Sequence, residues 1–380
     1  MVGPGSSPHV YRLAAALAGR GHELHIVTED KFAPFPQLAG LRYHPYPANG
    51  NFAARAAAAT RIIRGLNPDL LHTHAINHGG YIGVASGFHP HVLMTWGSDV
   101  FLYPNRSKAD RLFTWLAVRG ADLVLSPSSV MQEELSRLGR KTGNEIMMWG
   151  LDLQHFRYEK EEGEAFRASL EIDRQAKVIF SPRILAPLYN QDIMLEAFLQ
   201  VASAHPDAVL VLSRMHAEPE YERSLRQKAE ALGIAAQLRW IDAVDYKTLP
   251  AAYGMADVIL SIPSSDGMPM SVMEAMACER LVVACNQPSL ERWYAGCQSI
   301  TLVTPRNVSE VAGGVSRFLG LNTDVRKALG EKARQFMFER VDRNLWLGRL
   351  EAYYEALLKE PRGSYGQTLR SVITPRPTPL

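Results

Sequence analysis

Short apolar runs alternate with longer segments in which an apolar residue returns every third or fourth position. In the first half, runs of strand length lie at 23–28, 41–46, 69–73, 91–96, 122–126 and 145–149, and helical periodicity at 8–20, 51–65 and 127–138. The second half repeats the rhythm. Strands are predicted at 177–181, 208–213, 238–241, 257–262, 281–285 and 300–303, and helices at 191–204, 219–232, 271–278 and 309–319. Apolar strand runs without strict alternation suit sheets covered on both faces, and the strand–helix alternation suits parallel order. Two rounds of it predict an α/β protein of two doubly wound, Rossmann-like domains. A length of 380 residues is also more than one core usually serves.

The join is predicted within 152–175, where Tyr158-Glu159-Lys160-Glu161-Glu162-Gly163-Glu164 is densely charged and reads as a solvated face. Domain one is then 1–155 and domain two 165–340, followed by a long helix over 342–359. From 361 onward Pro361, Pro375, Pro377 and Pro379 stand among few large apolar residues, so a flexible tail is expected. At the other end, Met1-Val2 runs straight into Gly3-Pro4-Gly5-Ser6-Ser7-Pro8-His9. A first strand usually takes about five residues, so either the first strand is very short or the reading begins late.

Net charge is +2, which calls for no nucleic-acid partner. No run of 18 apolar residues would span a bilayer, and no basic-then-apolar leader stands at the start. Peripheral membrane contact stays open. Cys278, Cys285 and Cys297 are odd in number and fit free thiols in a cytoplasmic protein.

The densest chemistry lies in Ser264-Ser265-Asp266-Gly267-Met268-Pro269-Met270-Ser271-Val272-Met273-Glu274-Ala275-Met276-Ala277. A buried-type strand runs into it and an apolar helix leaves it. Ligands of parallel sheets gather at the carboxyl ends of strands, and helix N-termini favour anions. Asp266 and Glu274, with seven residues between them, would flank a phosphate bound there. Such an arrangement suits a sugar nucleotide, with Asp266 near sugar hydroxyls and Glu274 near ribose hydroxyls. Ser271-Val272-Met273-Glu274 also fits a capping box, the structural alternative to that reading.

This stretch resembles the retaining family 4 glycosyltransferases, in which a Glu, seven residues and a second Glu occupy the same context; here the first acid is Asp266. The resemblance runs from about Gly3 to Leu358 and implies the two-Rossmann-domain architecture called GT-B, its domains facing a cleft. It implies retaining transfer of a hexose from a nucleotide-diphosphate sugar, a UDP-sugar in preference, to the hydroxyl of a saccharide, lipid or small molecule. It implies no cofactor and no metal, the donor being a substrate. The last helix should cross back to the first domain. On the donor side the matching residues are Arg183, Asn190, Gly267, Met268, Pro269, Met270, Ser271 and Glu274, with Asp266 beside the sugar. Arg183 would grip the diphosphate, but the family's Lys five residues on is Leu188 here, leaving one cation with Tyr189 and Asn190 as neutral donors and Arg214 as a more distant charge.

On the acceptor side the resemblance points to Gly5 and Ser6 in the first loop, to His9, and to His74 or His78. His72 and His74 share a strand face, but two ligands are few for zinc. Trp96-Gly97-Ser98-Asp99 stands where the family carries His-Gly-x-Asp; Asp99 could orient the acceptor hydroxyl or simply cap a turn. A second such motif, Trp149-Gly150-Leu151-Asp152, reads as structural. The lost cation and altered loops at 277–280 and 297–300 also allow a weakly active nucleotide-sugar binding protein, and a sugar-nucleotide epimerase of similar architecture is a third reading.

Overall fold

A computed structural model describes residues 1–32, 40–140 and 142–359; the proline-rich tail lies outside the described residues. The described residues divide into two compact units, one of 1–150 with 343–359 and one of 151–342.

In the first unit the strands are β1 (Leu24–Glu29), β2 (Leu41–Tyr46), β3 (Leu71–His74), β4 (His91–Met94), β5 (Leu123–Ser126) and β6 (Asn144–Ile146). All of their pairings are parallel: β1 with β2, and β3-β4-β5-β6 in sequence order. Val2 joins the two groups, bridging in parallel to Val27 on one side and Thr73 on the other. Val2 is thus a single buried bridge residue in the middle of a layer. Gly79 makes room for it: a Cβ there would lie 2.3 Å from the Val2 carbonyl oxygen. The motif that precedes His9 thus enters from the sheet centre.

Local signals place the helices around this sheet. Asn51 accepts from the Ala54 amide to start Phe52–Leu66, and Asn67 ends it in the left-handed region at φ 44°. Ser128 caps Ser129–Arg137 through the Met131 amide. The helix Arg343–Lys359 belongs to this unit; its Glu351 takes Arg20 at 2.7 Å, and its Tyr354 hydroxyl meets His72 Nδ1 at 2.5 Å. Among the described residues, no helix is long and apolar enough to cross a membrane.

The second unit carries β7 (Lys177–Ser181), β8 (Ala208–Ser213), β9 (Leu238–Ile241), β10 (Val258–Ser261), β11 (Leu281–Cys285) and β12 (Ile300–Val303). Their order is β12-β11-β10-β7-β8-β9, all parallel. Leu210, Leu212, Val258, Leu260, Leu281 and Val283 form the apolar sheet face, and the helices Gln191–Ala204 and Val308–Leu319 close over it with Phe198, Val315 and Phe318.

The charged stretch is not a join. It is a helix of the second unit, Lys160–Ser169, and its Gly163 sits so close to Gly254 that a Cβ would meet backbone at 2.7 Å. Arg167 on the same helix donates to the Met255 carbonyl at 2.7 Å. One packed face hidden among Glu and Lys gave too few apolar positions for a periodic signal. Two predicted strands also end early, β4 at Met94 and β6 at Ile146.

His72, His74 and His91 of the first unit are all buried. Burial drives His74 and His91 down to about 3 and His72 well below its ordinary value, so all three fold as neutral rings. The unfolded chain takes up a proton on each near pH 6.5, but folded His74 and His91 do so only near pH 3. Their contribution is complete above pH 6.5 and is lost as the pH falls, by roughly 1.4 kcal/mol per pH unit for each ring. Denaturant unfolding at about pH 7 and about pH 5 checks this. The first unit is expected to be clearly less stable at the lower pH; equal stability would mean that these rings are charged or exposed.

Candidate functional site

Strand order reverses between β7 and β10, which pair through Ile179 with Val258 and Phe180 with Ile259. Connections leave these neighbours in opposite directions, so a crevice opens at their carboxyl ends. Arg183 follows β7 and Asp266 follows β10. Arg183 donates from Nη2 to Asp266 Oδ2 at 2.6 Å and from Nη1 to Ser271 Oγ at 2.9 Å. Both charged side chains are only slightly exposed, 12% and 17%. Burial works against the Arg183 charge, but Asp266 and Tyr189 outweigh it and hold its pKa above the ordinary value. Tyr189 supports it from one side, its ring centre 4.6 Å from the guanidinium carbon.

The loop between β10 and the next helix is braced from three directions. Gln287 donates to the Pro263 carbonyl at 3.0 Å and accepts from the Asp266 amide at 2.8 Å. Asn190, in the left-handed region at φ 55°, donates to the Ile262 carbonyl at 2.8 Å and to Ser264 Oγ at 3.0 Å. Arg306 Nη1 donates to Asn190 Oδ1 at 2.7 Å. Asn190, expected beside the phosphates, is fully buried, and through these bonds its side chain holds the loop. Leu188, which replaces the family's Lys, is 39% exposed, and its carbonyl accepts from the Ser264 amide at 2.8 Å. Sequence reading missed Gln287, Ser264 and Arg306 as bracing residues. Their partners lie from 21 to 116 positions away, so no local motif could announce them.

The helix Met270–Ala277 begins after Pro269 with no side-chain cap. That overturns the capping-box reading: Ser271 lies inside the helix, and its hydroxyl accepts from Arg183. Glu274 is nearly buried, and its Oε2 accepts from the Tyr253 hydroxyl at 2.8 Å. Gly267, Met268 and Pro269 are buried under the loop, and Met270 is half-buried. Arg214 is committed elsewhere, to Glu222 at 3.0 Å and Asp242 at 2.8 Å, so it is not a spare phosphate charge.

In the first unit a ring cluster occupies the carboxyl end of the sheet. His9 stacks on Trp149 at 5.2 Å and meets Trp96 edge-on at 5.7 Å. His74, at the end of β3, stacks on Trp149 at 5.6 Å and on His72 at 4.5 Å. Trp149 therefore belongs to the cluster, although its motif read as structural. Gly5 approaches β1 closely, its amide donating to Thr28 Oγ1 at 2.8 Å, while Ser6 is exposed. Asp99 is buried and accepts from the amides of Ile76, Trp96 and Gly97 at 2.9, 3.0 and 2.7 Å. Burial raises its pKa against the pull of those bonds. The capping alternative describes these contacts: Asp99 shapes the turn that presents Trp96. Among the described residues, no three His, Cys, Asp or Glu side chains gather as a metal-ligand group.

Residues 162–336 match the family model described as glycosyl transferases group 1, and residues 1–128 match that described as glycosyl transferase 4-like. The TuaC protein of Bacillus subtilis (strain 168), named for a glycosyltransferase role in teichuronic acid biosynthesis, is 27% identical over 269 residues, covering 70% of this chain and 65% of its own length. A D-inositol 3-phosphate glycosyltransferase 2 of Catenulispora acidiphila is 28% identical over 213 residues, covering 53% of this chain and 49% of its own. The match thus spans about two thirds and about half of these curated relatives. Anabaena Alr3699/HepE, solved in complex with UDP and glucose, superposes with a TM-score of 0.80 at 16% identity, covering 94% of this chain and 98% of that one. The fold is that of the GT-B glycosyltransferases, and the two parts of the chain match glycosyltransferase family models, group 1 over 162–336 and 4-like over 1–128.

Proposed function

We propose that the chain moves a hexosyl group from a nucleoside-diphosphate sugar, a UDP-sugar in preference, to an acceptor hydroxyl with retention of configuration. The observation that carries this is the Arg183–Asp266–Ser271 grouping at the point where strand order reverses. The Anabaena protein of the same fold, solved with UDP and glucose and also with UDP-glucose, supports the choice of donor.

In this reading the diphosphate takes over Arg183 and the amides at the start of Met270–Ala277, and Asp266 is released toward the sugar. The bond from the anomeric carbon to the phosphate oxygen breaks, and the departing charge is met by Arg183 and the helix start. The acceptor oxygen bonds to that carbon on the same face, and its proton passes to the departing phosphate oxygen. Asp266 steadies the positive charge that develops on the sugar between the two events. Glu274, oriented by Tyr253, serves the ribose. In the first unit His9, His74, Gly5 and Ser6 serve the acceptor, a saccharide, lipid or small molecule, and Asp99 acts by fixing the turn at Trp96. Neither a cofactor nor a metal enters this scheme.

Titration calorimetry with UDP tests the cation. A charge-assisted hydrogen bond is worth about 1.5–3 kcal/mol, so Arg183→Ala should weaken UDP binding roughly tenfold to a hundredfold. Unaltered affinity in a folded variant would put the phosphates elsewhere.

Asp266→Asn separates the two roles. It removes the group that competes for Arg183, so UDP affinity should hold or rise while turnover drops by roughly tenfold or more. Lost UDP affinity at normal turnover would reverse the assignment.

Transfer is also expected to continue at full rate in excess EDTA. A rate that collapses and returns on adding a divalent ion would replace the arginine-and-helix scheme with a metal-assisted one.

A further inference from the structure

The helix Lys108–Gly120 has its apolar faces arranged the unusual way round. Its inward side consists of small or medium residues, with Thr114, Ala117 and Val118 buried against the core of the first unit. Its outward side carries the larger ones: Leu112 is 55% exposed, Phe113 44%, Trp115 40% and Leu116 41%. Phe113 extends the patch sideways, its ring 6.4 Å from that of Phe52 on the neighbouring helix. A soluble surface helix normally turns such residues inward, and an apolar cluster of this kind marks an interaction surface.

Charge identifies the partner. Lys108, Arg111 and Arg119 are exposed along the same helix, and among the described residues no carboxylate pairs with any of them. Arg119 lies over the Trp115 ring at 5.0 Å. The helix's one acid, Asp110, accepts from the Ser107 hydroxyl at 2.8 Å. Bulky apolar side chains, a tryptophan and unpaired cations on one exposed face match a bilayer with anionic headgroups, where the rings enter the interface and the cations meet phosphate.

We propose that the outward face of Lys108–Gly120 docks on the surface of an anionic lipid bilayer, lying on it and not crossing it. Docking would hold the first unit at a membrane and bring lipid-borne acceptors within its reach. The surface is separate from the donor site and stands whether or not the donor reading holds.

The test is flotation of the full chain with vesicles of phosphatidylglycerol and phosphatidylcholine in equal parts, against vesicles of phosphatidylcholine alone. Wild type should float with the anionic vesicles, and added salt should weaken the association. Lys108→Gln/Arg111→Gln/Arg119→Gln should reduce binding roughly a hundredfold. Leu112→Ser/Leu116→Ser should reduce it roughly tenfold or more. Circular dichroism checks that each variant folds, and either variant alone suffices if the other does not. No flotation of wild type, equal flotation with both vesicle types, or folded variants that bind as wild type would each overturn the proposal. So would self-association that Leu112→Ser/Leu116→Ser abolishes while vesicles are ignored, since the occupant would then be a second copy of this chain.

Discussion

The pairing of β7 with β10 is the constraint on which the proposed donor site depends. Two strands whose paired residues lie 79 positions apart in sequence, with Val258 opposite Ile179, become neighbours, and the chain leaves them in opposite directions. That one adjacency sets the loop after β7 beside the loop after β10. Arg183 and Asp266 can then share a 2.6 Å contact. A parallel sheet with any other pairing would separate them.

The pair has a physical logic. Two partly buried charges lose hydration, and their attraction repays that loss only when geometry and further hydrogen bonds are good. Here Arg183 gains Ser271 and the Tyr189 ring, while the Asp266 backbone is held by Gln287. The cation is therefore stationed before any anion arrives. A diphosphate that displaces the carboxylate finds its partner already aimed, which lowers the ordering cost of binding. In the proposed scheme the same displacement would free a carboxylate beside the sugar, and one ion pair would couple donor binding to readiness for chemistry.

Much of this was legible in sequence because its signals are local. Strand runs and helix periodicity gave the two doubly wound halves, and the stretch from Asp266 to Glu274 marked the loop that Arg183 reaches. Local signals also misled. Ser271 and Glu274 stood at capping-box spacing, yet Arg183 claimed the Ser271 hydroxyl across 88 positions. Asn190 offered an amide beside the phosphate loop, and the Ile262 carbonyl took it. The helix at Lys160–Ser169 was hidden because close packing of Gly163 on Gly254 needs no apolar side chain. In each case a partner distant in sequence decided the outcome. The ring cluster of His9, His74, Trp96 and Trp149 shows the same limit, since four separate segments meet only once the sheet is built.

A nucleoside diphosphate is expected to seat at the reversal between β7 and β10. Amide hydrogen exchange of the whole chain, with and without saturating UDP, tests it most directly. Protection is expected in the segments that contain Arg183 and that run from Ser264 to Glu274, where amides and side chains would close on the phosphates. UDP that binds measurably yet leaves both segments exchanging as before, with protection confined to the first unit, would contradict it.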